Sequence, residues 1–367
     1  MRVLMVSRST LYSSPGGDTV QLDCTAKFVR KLGIEVDINT TVKKIDYDKY
    51  DLIHFFNIIR PQLILPHIKK CKKPFAISTI FVDYEEYERI ARNGLSKWLF
   101  KNLSSDTIEY LKTIARRFIN SEKIGSLRFI ITGQKASICY VVNRSAMLLP
   151  NSHNEYFRFS ARYKTIAPYI AVPNAIDSSI FSVLKKADQK YSDAIICVAR
   201  IEGRKNQLSL IRALRDVHIP LYIIGQPSPN HYNYYHSCKA AAKSQVHFIN
   251  HTSQEELAGI YRAAKVHAMP SWFETTGLSS LEAAAMECNI VITNKGDQCE
   301  YFKDFAFYCD PADEDSIKKA VLDAYETKFN QEFKKYILNN FTWEKTAEKT
   351  VEAYRSILDK NYKSCKL

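Results

Sequence analysis

Short runs of bulky apolar residues alternate with longer segments of helical period along most of the chain. This alternation is typical of βαβ units, whose parallel strands are buried on both faces by the connecting helices. In the first half, the predicted strands are Val3 to Val6, Ile34 to Ile38, Leu52 to Phe56, Phe75 to Ile80, Ala146 to Leu149 and Ile170 to Val172. In the second half, they are Ala194 to Ala199, Leu221 to Ile224, Val246 to Ile249, Val266 to Met269 and Ile290 to Thr293. The sequence therefore predicts an α/β fold with two parallel sheets.

A polar stretch without apolar periodicity, residues 184–190, separates the two series of strands. The length of 367 residues also fits two domains, because domains of roughly 100 to 200 residues are usual. We therefore expect an N-terminal domain at 1–183 and a C-terminal domain at 184–345. The remaining helical segment, 346–367, is expected to cross back to the first domain.

Basic residues are in excess, and the excess is concentrated in one place. The chain has 52 Lys and Arg against 39 Asp and Glu, a net charge of +13. The largely helical segment 89–144 has eleven basic and three acidic residues, a surplus of eight. Aromatic side chains are interleaved with these charges, and they are Trp98, Phe100, Tyr110 and Phe118. Such a segment fits a helix lying on an anionic membrane surface, or contact with a pyrophosphate-linked lipid acceptor.

The alternative for segment 89–144 is an ordinary solvated helical face with its aromatic side chains in the core. Nucleic acid is not the expected partner, because the sequence shows no helix-turn-helix, zinc or RNP signature around which the basic residues are organised.

The sequence also indicates a compartment. The nine cysteines are scattered without a CxxC pair, which favours reduced thiols. The first residues, MRVLMVSRST, have too short an apolar run for a signal peptide. No stretch approaches the roughly 18 apolar residues of a membrane span. We expect a cytoplasmic protein, with any membrane contact peripheral and on the inner face of the cell membrane.

Two glutamates eight positions apart, Glu274 and Glu282, lie in the sequence PSWFETTGLSSLEA. If a helix starts near Gly277, Glu274 lies in the loop before it and Glu282 lies inside it. The backbone amides of residues 276–278 are then donors at a positive helix end, suited to phosphate or hydroxyl oxygens. The alternative is a solvated helix face that carries two acids.

The stretch from Val198 to Asn206 follows directly after a predicted buried strand. Open parallel sheets bind ligands at the carboxyl ends of their strands. Arg200 and Lys205 in this stretch could place two cations against a diphosphate. A solvated basic loop is the alternative, but the two glutamates lie in the same predicted domain, which favours a joint site.

These motifs resemble the family-4 retaining glycosyltransferases of GT-B architecture, and the resemblance covers nearly the whole chain. The family's Glu-x7-Glu motif corresponds to Glu274 and Glu282, and its Gly-Arg-Leu-x-x-x-Lys-Gly stretch corresponds to residues 199–206. Its interdomain Val-Pro-Asn-Gly-Val-Asp corresponds to residues 172–177, and its Gly-Gly loop to residues 16–17. The resemblance implies two Rossmann-like parallel-sheet domains facing a central cleft. It also implies a nucleotide-diphosphate-sugar donor on the C-terminal domain and a saccharide or lipid-linked saccharide acceptor on the N-terminal domain.

The resemblance implies roles for most of the site residues, and Asp83 and His54 are added from their positions in the sequence. The predicted catalytic residues are Glu274, Arg200, Lys205 and Asp83. The predicted donor-binding residues are Glu282, Thr275, Thr276, Gly277, Leu278, Gly17, Asn250 and His251. The residues predicted on the acceptor side of the cleft are Gly16, His54 and Asn174.

Two departures from the family pattern bear on the sugar. Members with a Thr-x-His-Asp stretch use its histidine near the donor sugar, but residues 78–84 here read STIFVDY. Asp83 is the candidate replacement, and the alternative is that it caps a helix starting near Glu85. The second departure is Thr275-Thr276 in place of a glycine and an aromatic residue.

Three other candidate site residues also have a purely structural interpretation. His54 ends a buried strand and is either a cleft residue or a core histidine. Asn250 and His251 follow a strand near the family's nucleobase site, and the alternative for them is a turn.

No metal or other cofactor is expected to be required. The sequence DYD at 46–48 fits a polar turn better than a metal loop, and DED at 313–315 fits the acidic first turn of a helix. Arg200, Lys205 and a helix N-terminus can neutralise a leaving diphosphate without a metal.

The expected function is glycosyl transfer in the assembly of a bacterial surface polysaccharide such as lipopolysaccharide, O-antigen or capsule. The alternatives are a nucleotide-sugar epimerase of the same architecture and a non-enzymatic basic protein that binds nucleic acid or membrane.

Overall fold

The computed structural model describes residues 1–13, 15–40, 45–91, 103–120, 126–181, 186–250 and 252–364. Its strands are β1 Arg2–Val6, β2 Glu35–Asn39, β3 Leu52–Phe56, β4 Phe75–Ser78, β5 Met147–Leu148, β6 Ile195–Val198, β7 Leu221–Ile224, β8 Val246–Ile249, β9 Val266–Met269, β10 Asn289–Thr293 and β11 Phe307–Cys309. Its helices are α1 Gly17–Lys31, α2 Pro61–Lys70, α3 Glu85–Ala91, α4 Ser105–Asn120, α5 Leu127–Val142, α6 His153–Tyr163, α7 Ser178–Phe181, α8 Gln207–Ala213, α9 Tyr232–Ala241, α10 Gln254–Ala263, α11 Leu278–Ala285, α12 Gln298–Phe302, α13 Glu314–Glu326, α14 Gln331–Asn340 and α15 Trp343–Ser364.

The chain forms two compact units. The first contains Met1–Phe81, Glu88–Asn174 and Trp343–Leu367. The second contains Val82–Tyr87 and Ala175–Thr342. The units therefore divide after residues 174 and 342, whereas the domain ranges expected from the sequence divide after residues 183 and 345. Each unit contains one sheet, and all strand pairs of both sheets are parallel. The predicted α/β fold with two parallel sheets is confirmed.

The sheet of the first unit has the strand order β2-β1-β3-β4-β5. Its central strand β3 is buried at all five positions, because helices cover both faces of the sheet. Val3 of β1 pairs with Val36 of β2 and Leu52 of β3. The order reverses between β1 and β3, so the loops that follow these two strands lie side by side.

The sheet of the second unit has the order β11-β10-β9-β6-β7-β8. The chain runs outward from β6 to β8 and then returns to place β9 on the other side of β6. Ile195 of β6 pairs with Val266 of β9. This reversal is the kind of point at which open α/β sheets bind ligands, beyond the carboxyl ends of the strands.

Two strand predictions differ from the structure. Ile170 to Val172 is not a strand, because it reaches β5 only through an isolated bridge between Leu148 and Tyr169 and the neighbouring backbone hydrogen bonds. β11 was not predicted from the sequence, since three residues at a sheet edge give no measurable alternation.

The basic segment 89–144 is largely helical where the structure describes it. It contains the end of α3, all of α4 and all of α5, and α5 is broken at Gly133, whose φ is 74°. Residues 92–102 and 121–125, including Trp98 and Phe100, lie outside the described residues. Among the helices that the structure does describe, none is long and apolar enough to cross a membrane.

Helix α15 completes the first unit and is fastened to β3 by a buried hydrogen bond. Its apolar face includes Trp343, Ala347 and Val351, spaced by one helical turn. The Tyr354 hydroxyl on this helix lies 2.7 Å from His54 Nδ1, and His54 Nε2 lies 2.9 Å from Ser78 Oγ. Burial lowers the pKa of His54 to about 3, so its ring is neutral. These contacts favour the core alternative for His54.

Tyr354→Phe should lower the free energy of unfolding by about 1–3 kcal/mol, because it leaves the buried Nδ1 of His54 without its partner. The measurement is the thermal unfolding midpoint. Tyr12→Phe is the matched control, since the Tyr12 hydroxyl donates to Asp23 at the surface and its loss should change stability by less than about 0.5 kcal/mol. Equal effects of the two substitutions would contradict this account of the first unit.

Candidate functional site

The two predicted ligand-binding motifs follow neighbouring strands of the second unit. The loop after β6 contains Arg200 and Lys205, and the loop after β9 contains Glu274. Since β6 and β9 are adjacent and parallel, both loops start at the same edge of the sheet. A backbone hydrogen bond from Trp272 N to Arg204 O, 2.9 Å long, joins the loops directly.

The β6 loop is held in place by its own side chains and backbone. Residues Gly203–Lys205 form a 3-10 turn, and Asn206 follows in the left-handed region with a φ of 60°. Asn206 Nδ2 donates to Pro311 O at 2.8 Å, and Gln207 Nε2 donates to Arg200 O at 2.9 Å. These bonds hold the backbone from which the side chains of Arg200 and Lys205 extend.

Lys205 and Glu274 form an ion pair and a hydrogen bond from Nζ to Oε1. The exposed fractions of their side chains are 22% and 11%. Burial acts to lower the pKa of the Lys205 ammonium, but the Glu274 carboxylate outweighs this and raises it. The structure therefore brings together two of the predicted catalytic residues, one from each motif, as a charged pair beside the sheet edge.

A second charged group lies in the same loop around Glu202. Its carboxylate accepts from Arg204 Nη2 at 3.0 Å and from Ser228 Oγ at 3.0 Å, and Arg200 Nη2 lies at 3.7 Å. Burial by itself raises the pKa of the Glu202 carboxyl, but the neighbouring cations, Arg204 first, hold it below its usual value. The Arg200 side chain is 46% exposed, so this predicted phosphate contact is the more open of the two arginines.

Glu202 and Arg204 were not predicted as site residues, although both lie in the stretch from Val198 to Asn206. The signal was present as the alternation of charge in Arg200, Glu202 and Arg204. In such a short loop, a single acidic residue between two arginines can form ion pairs with both of them.

Tyr84 reaches this group from the segment Val82–Tyr87, which belongs to the second unit. The Arg204 guanidinium lies 4.5 Å from the centroid of the Tyr84 ring, and the ring makes an edge contact with Phe273. Burial raises the pKa of the Tyr84 phenol. Neighbouring Asp83 accepts from Glu85 N at 3.0 Å at the start of α3. This bond supports the capping alternative, and the sugar-side role of Asp83 stays a prediction.

Helix α11 begins at Leu278 with Gly277 before it, as the sequence predicts. Gly277 has a φ of 75°, a conformation that favours glycine. Thr276 is buried and its hydroxyl donates to the Tyr301 hydroxyl at 3.2 Å, so its side chain is committed to the core. Thr275, Gly277 and Leu278 are half-buried. Thr276 was predicted to bind the nucleotide-sugar, and of this residue only the backbone is left to do so.

Glu282 lies inside α11, beside Tyr261 of α10. The Tyr261 hydroxyl donates to Glu282 Oε2 at 3.2 Å. Burial raises the pKa of the Glu282 carboxyl to about 8, and the hydrogen bond from Tyr261 only partly offsets this. The two glutamates of the motif thus differ in environment, since Glu274 has a cation beside it and Glu282 has a phenol.

A third loop, after β10, holds the backbone of Glu274. Asp297 N donates to Glu274 O at 2.9 Å, and Gly296, with a φ of 98°, pairs with Glu274 in an isolated bridge. A Cβ at Gly296 would lie 2.1 Å from Glu274 O, so only glycine allows this approach. This loop was not among the sites predicted from the sequence.

The remaining predicted site residues lie elsewhere. Asn250 is exposed at the end of the edge strand β8, and His251 lies outside the described residues. In the first unit, Gly16 precedes α1 and Gly17 begins it, and a Cβ added at Gly17 would meet nothing within 4 Å. Asn174 is buried in that unit. In the second unit, Asn250 follows β8, whereas Lys205 and Glu274 lie in the loops after β6 and β9.

Among the described residues, no three His, Cys, Asp or Glu side chains are grouped as metal ligands would be. The sequence DYD at 46–48 lies at a short 3-10 turn, and Asp313 caps α13 by accepting from Asp315 N at 2.9 Å. Both agree with the structural interpretations made from the sequence.

Residues 180–341 match the family model described as Glycosyl transferases group 1. This stretch is similar to a glycosyltransferase group 1 domain. The match covers most of the second unit and includes the β6, β9 and β10 loops described above.

Curated relatives are similar to part of the chain. A probable sucrose-phosphate synthase from Thermosipho melanesiensis is 28% identical over 223 residues, which is 57% of this chain and 51% of that protein. O-antigen chain mannosyltransferase B from Escherichia coli is 26% identical over 114 residues, 30% of each chain. The chain thus spans about half or less of the length of the curated relatives it matches.

Solved structures share the fold over nearly the full length. Sucrose-phosphate synthase from Thermosynechococcus elongatus has a TM-score of 0.74 at 14% identity, with 98% of this chain and 99% of that chain covered. Anabaena HepE, solved in complex with UDP and glucose, has a TM-score of 0.69 at 13% identity, with 97% and 100% covered. The group 1 domain is therefore half of a GT-B fold of two parallel-sheet units.

Glu282→Gln should remove a pH dependence of stability. The folded pKa of about 8 lies above the ordinary value of 4.5, so the carboxyl contributes stability below pH 4.5 that is lost as the pH rises through 8. Each pKa unit corresponds to about 1.4 kcal/mol, so the wild type should lose a few kcal/mol over this range relative to the variant. The measurement is the unfolding midpoint of both proteins from pH 5 to pH 9. Parallel curves would contradict the buried, protonated carboxyl.

Proposed function

We propose that the protein is a retaining glycosyltransferase that moves a sugar from a nucleotide-diphosphate-sugar to a saccharide or lipid-linked saccharide acceptor. The observation that carries the proposal is the Lys205–Glu274 pair, which lies at the strand-order reversal of a group 1 domain. A cation and a carboxylate side by side match the two parts of such a donor. The cation suits the diphosphate, and the carboxylate suits sugar hydroxyls.

Diphosphate binding is assigned to Lys205, Arg200 and the first turn of α11. The exposed Arg200 can offer two N–H groups to phosphate oxygens, and Lys205 adds a compact charge. The backbone amides at the start of α11 add donors at a positive helix end. We assign the ribose to Glu282, whose carboxyl group would hydrogen-bond the diol. These cations support a reaction that needs no metal, because they can neutralise the leaving group themselves.

The proposed step takes place on one face of the sugar. The bond between the anomeric carbon and the diphosphate oxygen breaks, and the acceptor hydroxyl oxygen bonds to the same carbon from the same side. The proton of that hydroxyl passes to the leaving phosphate oxygen. The products are the glycosylated acceptor and a nucleoside diphosphate, so no protein base is assigned.

The proteins that resemble this chain support the substrate class. HepE has been solved with UDP-glucose, and one of the curated relatives transfers mannose to O-antigen chains. We place this protein in the assembly of a bacterial surface polysaccharide on that basis. Among enzymes of the same architecture, a nucleotide-sugar epimerase is the alternative activity.

A screen of UDP-, GDP- and ADP-sugars by thermal shift tests the proposal, because a bound donor stabilises the folded protein by mass action. The donor that stabilises most is then incubated with and without saccharide acceptors. A transferase consumes the donor mainly when acceptor is present, whereas an epimerase converts the donor sugar without one. Absence of any shift with all donors would contradict the proposal.

Lys205→Ala and Glu274→Ala should each lower turnover by at least about 100-fold, as expected when a group that stabilises the leaving group or orients the sugar is lost. The measurement is kcat with the donor found by the screen, on variants shown to be folded by circular dichroism. Lys243→Ala is the matched control, because Lys243 forms an exposed ion pair with Asp216 in the same unit. Wild-type rates for either site variant would refute the site.

The first unit presents an exposed apolar surface within segment 89–144, formed by Leu127 and Ile131 on one face of α5. Their exposed fractions are 78% and 82%. Arg128 lies between them, and its guanidinium is 3.7 Å from the centroid of the Tyr140 ring. Apolar side chains exposed among basic residues fit the membrane alternative better than the solvated one. We propose that this surface contacts an anionic membrane.

Replacing Leu127 and Ile131 together with Ser should reduce binding to vesicles of anionic phospholipid by roughly 10-fold, because two apolar side chains no longer enter the headgroup region. Co-sedimentation with anionic and with neutral vesicles measures this. Ile166→Ser is the control, since Ile166 is 97% exposed outside the segment. Equal binding to anionic and neutral vesicles would contradict the electrostatic part of the proposal, and equal loss in the control would contradict the surface.

A further inference from the structure

Gln298, the first residue of α12, has a buried amide without hydrogen-bond partners. The residue is 1% exposed. Within the part of the chain that the structure describes, neither Nε2 nor Oε1 has a partner. Leaving a buried polar group unpaired lowers the stability of the folded protein, and most buried amides avoid this. A complete amide left unpaired in a folded protein therefore calls for a functional explanation.

The position of the Gln298 amide suggests a function for it. Gly277 precedes α11, and a Cβ added there would lie 2.5 Å from Gln298 Nε2. The amide thus lies directly against the backbone at the N-terminus of α11, in the loop that carries Glu274. Gly277 is half-buried, and as a glycine it places no side chain over the amide.

The backbone on both sides fixes this arrangement. Asp297 N donates to Glu274 O at 2.9 Å, and Gly296 can approach Glu274 only because it lacks a side chain. The backbone of the β10 loop is therefore hydrogen-bonded to the backbone of the loop that contains Glu274. The residue before Gln298 thus hydrogen-bonds the backbone of the glutamate that the proposed function assigns to the sugar.

We infer that Gln298 recognises a hydroxyl of the transferred sugar and so helps to determine which sugar the enzyme uses. The inference rests on the proposed function. An amide offers an acceptor and two donor hydrogens. A sugar hydroxyl can satisfy both kinds of group because it donates and accepts, whereas a phosphate oxygen only accepts. The unpaired Oε1 therefore favours the sugar over the diphosphate as the ligand of Gln298.

A site that hydrogen-bonds a substrate hydroxyl discriminates strongly against an analogue that lacks it, since the polar group of the protein is then left unpaired. With the wild type, one deoxy-sugar analogue of the preferred donor should therefore show a kcat/KM lower by about 10- to 100-fold. In Gln298→Met, the same analogue and the parent donor should react at similar rates. The affinity for the free nucleoside diphosphate, measured by calorimetry, should be unchanged.

The stability of Gln298→Met provides a second readout. Replacing an unpaired buried amide by an apolar side chain of similar size should raise the unfolding midpoint by about 2–4 °C. Gln21→Met in the first unit is the matched control, because Gln21 is also buried but its Nε2 donates to Asn151 Oδ1 at 2.8 Å and its Oε1 accepts from Asn151 Nδ2 at 3.5 Å. That variant should lower the midpoint and leave the donor preference unchanged.

The outcomes separate the two proposals. If the wild type neither binds nor uses any nucleotide-sugar, the proposed function fails, and this inference fails with it. If the wild type is active but Gln298→Met discriminates against the deoxy analogues as the wild type does, the inference alone is overturned. A fall in the unfolding midpoint also overturns it, since the amide would then have a partner in the protein. Should Gln298→Met not fold, Gln298→Asn, which withdraws the amide by one methylene, is compared across the same donors.

Discussion

The ion pair between Lys205 and Glu274 is the interaction on which the candidate site depends. It joins loops that are far apart in sequence, and it can form because β6 and β9 are neighbours in a sheet whose order reverses between them. The same loops place Glu202 among Arg200 and Arg204. In this state Glu202 and Glu274 offset two of the three positive charges of Arg200, Arg204 and Lys205. A diphosphate that binds here competes with these carboxylates for the cations, and the group keeps one positive charge before the ligand arrives.

Backbone contacts complete this arrangement and explain two glycines. Gly296 allows the β10 loop to pack against Glu274 O, and Gly277 allows the Gln298 amide to reach the start of α11. A side chain at either position would push the loops apart by overlap with backbone or amide atoms. The geometry of the carboxylate therefore depends on residues that carry no chemistry of their own.

Much of the fold was predictable from the sequence, and the reason is physical. Strands that are buried on both faces form continuous apolar runs with polar ends, so Leu52–Phe56, Leu221–Ile224 and Val266–Met269 were predicted to the residue. The start of α11 was marked by Gly277. The proximity of the Arg200–Lys205 loop to Glu274 also followed, because parallel strands bring their carboxyl ends to one edge.

The rest depends on contacts that sequence periodicity does not report. The segment Val82–Tyr87 belongs to the second unit although it follows strands of the first, and the Tyr84 contacts with Phe273 and Arg204 show this only in three dimensions. Gln298 is an ordinary polar residue in the sequence, and its unpaired amide is a property of the packing around it. His54 was ambiguous from the sequence because its partner Tyr354 is 300 positions away.

The contact between His54 and Tyr354 bears on the order in which the two units can fold during synthesis. The first unit contains both β3 and α15, so its core cannot close until residues 343–364 have been synthesised. Residues 175–342, which make up nearly all of the second unit, are complete before then. Domains usually fold in the order in which they leave the ribosome. In this chain the order is inverted, and the unit that is begun first is the one that is finished last.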